Sequence, residues 1–468
     1  MRRVLLLSFI ASALAISGLS AVSAPGGDPR FKDAYRRPPQ DGWTYVRLAG
    51  SPAEIGFQHG YLLAPEIVDL QKVFSIELSH DLHKDWAFFR DASRTVLWPH
   101  IDQEYRDELT GIAEGLKAHG GSLDVWDIVA MNADLEWSYY VKVFDDEHGV
   151  KSPATVTAGE HCSAFVATGS YTRDGRPVVA HNNWSSYADG ARWTMVFDVV
   201  PTRGSRFVMD GLPGLIHSAD DFGINAAGIA ITETTITAFA GYDVNGVPEF
   251  ARARKALQYG TSIDDVARIF KDGNNGGYAN DWLIADMRRN EIASLELGLK
   301  HVTLERKSDG YFVGSNFPIN PQLAAEETTF KADDPTVSAN ARHKRWEQLM
   351  AANKGHIDVS LAQSFLADHV DSSTGRTEPS ERTLCGHIDL SSRGLPDWMP
   401  PFGTAGAVQN KVTDATMAAT LSFAAAAGHA CGTGFSAASH LERHPELAWE
   451  RPVLRDLPGG KWTIIKPE

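Results

Sequence analysis

Cysteine is scarce: Cys162, Cys385 and Cys431 are the only three among 468 residues. That count excludes a disulfide-stapled small-domain scaffold, and its odd number leaves at least one thiol unpaired within a monomer. Long apolar runs are missing after the first two dozen residues, which excludes a bundle of membrane-spanning helices. Positive charge is also short, with 44 Lys and Arg against 59 Asp and Glu. That balance argues against nucleic acid and anionic membrane surfaces as partners. Absent too are the Gly-x-Ser-x-Gly elbow, the Walker loop, the dinucleotide glycine fingerprint and His-Glu-x-x-His, along with the serine, nucleotide-dependent and zinc chemistries they carry. No motif calls for a cofactor. His440 and His444 stand four apart but lack a third neighbouring ligand, so no metal is expected. No internal repeat is present.

What is present begins at the N-terminus. Met1-Arg2-Arg3 leads into an apolar stretch and then the small residues Ala21, Ser23 and Ala24. This pattern predicts a secretory signal peptide over 1–24, cut after Ala24 or, because Pro25 is a poor neighbour, after Ala21. The apolar stretch is shorter than the ~20 residues of a membrane span. Export to the periplasm or the medium is therefore expected, rather than a stable membrane anchor. Losing Arg2 and Arg3 takes the net charge from −15 to −17. The 43% of apolar residues is enough to build a sizeable core in the remaining chain.

Residues 25–161 read mainly as helix. Ile101, Tyr105, Leu109, Ile112 and Leu116 recur at helical spacing until Gly120-Gly121 stops them, and a second helix is expected from Ser122. From about 145 to 161 Asp, Gly, Ser, Pro and Thr replace the periodicity, which predicts an exposed linker. At Cys162 the character changes. Strands are expected at 163–168 and 177–181 around a hairpin turn at Asp174-Gly175, then at 193–199, 206–210 and 229–235. Helices are expected at 249–259 and from Ser262, followed by strands at 282–286, 292–297 and 311–315. Helices dominate again after Ala341, one of them holding the four alanines at 424–427. Short connections predict mostly antiparallel pairing in a layered α+β core over 162–468, built with the N-terminal fragment into one globular unit.

The chemistry concentrates at His161-Cys162-Ser163-Ala164, where the linker meets the first strand. A thiol there is placed to attack the carbonyl of His161; hydrolysis of the resulting ester then frees the α-amino group of Cys162. That amine has a reference pKa of ~7.7–8.0 beside a thiol at ~8.5, so it can act as general base at small cost. No separate Cys–His pair is required. The plain alternative is a buried strand cysteine. Cys385 and Cys431 either pair as a disulfide and leave Cys162 as the free thiol, or all three stay reduced.

Several motifs recur in a known order. Cys162-Ser163-Ala164 is followed by His181-Asn182-Asn183-Trp184-Ser185-Ser186-Tyr187, then Asn225-Ala226-Ala227-Gly228-Ile229-Ala230, Gly276-Gly277-Tyr278-Ala279-Asn280-Asp281-Trp282 and Gly314-Ser315-Asn316. Upstream stand Gly56-Phe57-Gln58-His59-Gly60 and Gly111-Ile112-Ala113-Glu114-Gly115. Together they resemble the phospholipase B-like proteins and the related penicillin acyltransferase family of self-cleaving N-terminal-cysteine (Ntn) hydrolases. The resemblance implies a four-layer αββα sandwich, autocleavage between His161 and Cys162, and a site at the ends of the central strands. It implies Cys162 as nucleophile and Asn316 as the amide donor to the developing oxyanion. His181, Asn183 and Trp184 are implied beside the nucleophile, with Glu233 and Thr234 approaching from a neighbouring strand.

Two departures stand out. Ser185 replaces the Asp of the acyltransferase pattern and Gly386 replaces its Arg, which favours the phospholipase B-like branch; His387 is a candidate donor near the missing arginine. The implied activity is hydrolysis of a small acyl amide, ester or phospholipid through a Cys162 thioester, as in lipid degradation, with the cleaved fragments staying associated. The alternative is a self-processed binding or scaffold protein that turns nothing over.

Overall fold

The computed structural model describes residues 28–150, 162–219, 222–396 and 398–467. The signal peptide expected at 1–24, His161 and the linker from 151 onward lie outside the described residues. Among the described residues, two short strands precede Cys162, β1 (Tyr35–Arg36) and β2 (Thr44–Gly50). After it come β3 (Ser163–Thr168), β4 (Val178–Ser186), β5 (Met195–Pro201), β6 (Phe207–Gly211), β7 (Gly223–Asn225) and β8 (Ile229–Thr235). They are followed by β9 (Asn280–Asp286), β10 (Glu291–Leu297), β11 (Val302–Lys307) and β12 (Gly310–Gly314). A small pair, β13 (Val370–Asp371) and β14 (Arg376–Thr377), leads to β15 (Ala405–Asp414), β16 (Phe423–Ala427) and β17 (Thr463–Ile465).

One sheet runs in the order β1-β2-β5-β6-β7-β8-β9-β10-β11 and the other in the order β12-β3-β4-β15-β16-β17. Apart from the parallel pair β2–β5, neighbours in both sheets are antiparallel, as the short connections predict.

Side-chain alternation along the strands assigns the layers. Ala164 and Val166 on β3 pack with Val196, Val208 and Leu283 of the facing sheet. Phe165 and Ala167, pointing the other way, meet Trp346 and Phe365 of the helices Ser338–Ala352 and Val359–Leu366. The far side of the nine-stranded sheet carries Phe197, Ile231 and Trp282 into a core shared with helices Pro52–Leu62, Ala64–Leu82, Gln103–His119 and Ile263–Lys271. Helix, sheet, sheet, helix is the four-layer αββα sandwich expected.

The glycine motifs upstream of Cys162 are a helix crossing. A Cβ on Gly56 or Gly60 would stand 1.9 Å from the carbonyl oxygen of Glu108 or Ile112, and one on Gly115 would stand 2.1 Å from that of Phe57. Backbones so close leave room for no side chain, so Pro52–Leu62 and Gln103–His119 can cross only with glycine at these positions. The N-terminal part is mainly helical, as expected, and its strand β2 joins the nine-stranded sheet beside β5. Both sides of Cys162 thus share one sheet.

Three expectations are corrected. The helix expected from Ser122 begins at Val125, because Asp124 accepts from the Trp126 and Asp127 amides and Asp127 caps back. The linker expected from 145 starts later: helix Trp137–Glu147 continues through Asp145, which is buried and paired with Lys84 at 2.6 Å. The four alanines at 424–427 form strand β16 instead of a helix, buried between β15 and β17. Alanine's helix preference over other residues is under ~1 kcal/mol. It yields where pairing and tight packing demand small side chains, and a Cβ at Gly42 would already lie 3.0 Å from that of Ala427. Among the described residues, no helix is long and apolar enough to cross a membrane.

Candidate active site

Cys162 sits one residue before β3, and β4 and β8 bring their ends to it. Its Sγ lies 3.6 Å from Asn183 Oδ1 on β4 and 3.9 Å from Glu233 Oε1 on β8. His181 joins them: the ligand-type atoms of Cys162, His181 and Glu233 all lie within 4.8 Å of one another. With its amide turned to satisfy both groups, Asn280 on β9 donates to Glu233 Oε2 at 2.7 Å.

The main chain of Cys162 is held by side chains. Its N–H donates to Asn316 Oδ1 at 3.1 Å, and its carbonyl oxygen accepts from Arg342 Nη1. Asn316 reaches this position because β12 pairs with β3, setting Gly314 opposite Ala164. Gly314 must lack a side chain, since a Cβ would lie 2.5 Å from Thr234 Oγ1 in the other sheet. Two residues on, Asn316 turns the chain with a left-handed φ of 65°, a conformation that asparagine adopts more readily than most residues. Its Nδ2 donates to the Thr235 carbonyl at 2.8 Å.

Arg342 ties the arrangement together from the helical side. It donates to Asn316 Oδ1 at 2.8 Å, Ser163 Oγ at 3.2 Å and, through Nε, Ser338 Oγ at 3.0 Å, while its guanidinium lies 4.6 Å from the centre of the Trp184 ring. Burial pulls its pKa down to about 9, and the nearby Cys162 opposes that fall. The sequence reading missed Arg342. The available signal was its place on helix Ser338–Ala352, where Ser338, Arg342 and Trp346 fall four apart on one buried face.

The structure therefore gathers Cys162, Asn316, Asn183, His181 and Glu233, and separates Trp184 and Thr234 from the thiol. Trp184 lies on the opposite face of β4 from Asn183 and donates to the Leu384 carbonyl at 3.3 Å. Thr234 meets Gly314 across the sheets. The two asparagine amides differ. That of Asn316 is used on Thr235, whereas Asn183 Nδ2 is buried and has no hydrogen-bond partner among the described residues.

The departures from the acyltransferase pattern have local reasons. Ser185 Oγ donates to Asp189 Oδ2 at 2.8 Å, and burial raises that carboxyl to about 7. A Cβ at Gly386 would stand 2.2 Å from the Trp184 ring, so no arginine fits there. Cys385 and Cys431 are both free thiols, and the disulfide considered between them is not formed. His387, considered as a donor near the missing arginine, faces these two sulfurs at 3.5 and 3.6 Å. His440 Nε2 is bonded to the Phe402 carbonyl oxygen at 2.8 Å. A cavity of about 200 Å³ opens between β10, β11 and β12, with Phe317 and His343, chain neighbours of Asn316 and Arg342, in its wall. Cys162 does not line it.

The profile of the phospholipase B family matches residues 70–326. An archaeal protein from Archaeoglobus fulgidus is 25% identical over 269 residues, covering 55% of this chain and 43% of that one. Human phospholipase B-like 1 is 29% identical over 154 residues, 30% of this chain and 27% of the relative. The matched stretches thus span less than half the length of either relative. Among solved structures, conjugated bile acid hydrolase from Clostridium perfringens aligns over 57% of this chain and 89% of its own, with 10% identity and a TM-score of 0.33.

Proposed function

This chain belongs to the phospholipase B family, and on that premise we propose that it is an exported hydrolase of acyl amides or esters, phospholipids among them, with Cys162 as a self-generated N-terminal nucleophile. In the maturation step Cys162 Sγ adds to the carbonyl carbon of His161. The C–N bond breaks, the nitrogen of Cys162 leaves as an amine, and water hydrolyses the thioester to give the His161 carboxylate and a free thiol.

In turnover the new amine takes the proton of Sγ as the thiolate attacks the substrate carbonyl. It then returns that proton to the departing amine or alcohol. Water hydrolyses the thioester by the same route in reverse. Asn316 Oδ1, 3.1 Å from the Cys162 nitrogen, orients the amine so that its lone pair faces the sulfur. Arg342, on the Cys162 carbonyl oxygen and on Asn316 Oδ1, fixes both. Asn183 rather than Asn316 is suited to donate to the oxyanion, because its Nδ2 is uncommitted among the described residues. Such a donor typically contributes ~10²–10³ in rate. His181 and Glu233 supply polar walls around the thiol.

The observation that carries this reading is that both main-chain groups of Cys162 are bonded by side chains, the N–H by Asn316 and the carbonyl by Arg342. A strand cysteine with a packing role needs no such cradle; a terminal amine that must be aimed does. The test is intact mass and N-terminal sequencing of the exported protein, followed by labelling with an electrophilic acyl probe. A fragment beginning at Cys162 that takes up one label supports the proposal. An uncut chain, or a cut chain that never labels, removes it.

A further inference from the structure

Four potential ligands from three separate segments converge at a second place. His369 precedes β13, Cys385 and His387 lie on the loop after β14, and Cys431 follows β16; their ligand atoms all lie within 4.8 Å of one another. His387 Nε2 stands 3.5 Å from Cys385 Sγ and 3.6 Å from Cys431 Sγ. For a tetrahedral zinc with Zn–S of ~2.3 Å and Zn–N of ~2.0–2.1 Å, the sulfur-to-nitrogen edge is ~3.5–3.6 Å. The spacing therefore leaves room for a cation at the centre.

From this convergence we propose that His369, Cys385, His387 and Cys431 form a structural site for a tetrahedrally bound divalent cation of the zinc class. Two thiolates and two imidazoles are the donor set that selects such an ion over calcium or magnesium. Four protein ligands close the coordination sphere, which marks the site as structural rather than catalytic.

The surroundings fit. Asp389 Oδ1 lies 3.9 Å from His387 Nδ1, on the ring nitrogen that faces away from the sulfurs, and Tyr187 holds that carboxylate at 2.7 Å. Such a carboxylate behind a ligand histidine orients the ring. Thr433 Oγ1 lies 3.4 Å from Cys431 Sγ. Loading the ion displaces the thiol protons to solvent. Cys431 is partly exposed, which gives the ion a way in.

The site would also brace the nucleophile. The Leu384 carbonyl accepts from Asn182 Nδ2 at 2.8 Å and Trp184 Nε1 at 3.3 Å, Gly386 lies against the Trp184 ring, and that ring faces Arg342. An ion clamping Cys385 and His387 to His369 and Cys431 would pin this loop to β4.

The test uses the full exported chain. Elemental analysis of the protein from zinc-supplemented growth is expected to find about one equivalent of zinc per chain, released when the thiols are alkylated. Cobalt added to the reduced, metal-stripped protein is expected to give the strong visible bands of a tetrahedral ion and thiolate-to-metal charge transfer. Removing zinc with a chelator is expected to lower the thermal midpoint, and zinc to restore it. Cys431→Ser is expected to lose the bound zinc and the charge-transfer band at Cys431. A Cys385–Cys431 disulfide in the protein as isolated, with no metal present, would overturn the proposal. So would a reduced wild-type protein that takes up neither zinc nor cobalt, a result that does not depend on any variant folding.

Discussion

Strand β4 has a different cysteine centre on each face. Toward the facing sheet, His181 and Asn183 approach Cys162. On the helical face, Asn182 and Trp184 hold the carbonyl of Leu384, one residue before Cys385. The groups around the sulfurs differ in balance: an amide, a carboxylate and one imidazole at the first centre, two imidazoles and a second thiol at the other. Amides and a fixed main chain suit chemistry at a carbonyl, whereas imidazole with thiolate suits a soft cation. The environment, more than the thiol, divides a nucleophile from a ligand.

The comparison is broken most severely at the sulfurs. Cys162→Ala is expected to leave the chain uncut and to lower turnover of a fluorogenic acyl amide by on the order of 10⁴–10⁶-fold. Cys385→Ser and Cys431→Ser, which loosen only the loop behind β4, should still be cut and still take up the acyl label, at a reduced rate. If either of those serine variants abolished labelling while Cys162→Ala retained it, the two centres would have been read the wrong way round.

Adjacent asparagines then sharpen it. Asn183→Ala should cost ~10²–10³ in kcat with little loss of stability, because it removes an oxyanion donor that is otherwise unpaired. Asn182→Ala should do the reverse. It strips the Leu366 carbonyl of this donor, at ~1–3 kcal/mol of stability for a buried group short of a partner, and leaves that of Leu384 to Trp184 Nε1. Denaturant unfolding and steady-state kinetics on both variants separate the faces. Equal effects on kcat would show that β4 acts as one unit.

The sequence made the first centre more legible than the second. Strand, turn and helix signals placed β8 and helix Glu249–Tyr259 at their observed bounds, because the turn at 225–228 and the stop at Gly260 are local. Asn316 and Cys162 were readable from motif order, since each marks a turn or a junction. Arg342 was not, because a charged residue in an amphipathic helix looks like any solvated one until the partners of that helix are known. The alanines of β16 were misleading for the same reason: their strand is set by β15 and β17, which lie far off in the chain. The glycines of the helix crossing were visible as motifs, but their steric purpose was not. The thiol and imidazole cluster escaped notice because His369, Cys385 and Cys431 carry no short spacing that suggests a shared site.

Asn316→Asp moves the pH profile without removing the cradle. A carboxylate beside the Cys162 amine favours its charged form and so raises its pKa. The amine must be neutral to accept the thiol proton, so the acidic limb of kcat/KM should shift to higher pH, by about one unit. A profile that keeps its acidic limb would mean that the amine is not the base.

A further effect concerns stability and a buried acid on β9, away from the thiol. Asp281 on β9 pairs in register with Thr234. Burial, aided by the charge of Glu296, raises its carboxyl to about 8, against a hydrogen bond from Ser294 Oγ at 2.6 Å. The folded protein therefore holds this proton more tightly than the unfolded chain, whose carboxyl titrates near ~3.9. The stabilisation is fully present below that unfolded value and is lost as the pH rises through the folded one. Its slope is about 1.4 kcal/mol per pH unit at most. Asp281→Asn removes the titration while keeping the shape. The variant should gain on the wild type in denaturant unfolding from pH 5 to 8, and the difference should level off above that. Parallel curves across this range would mean that Asp281 is ionised in the fold, and the interior between β9 and β10 would then have to be more polar than the contact with Ser294 indicates.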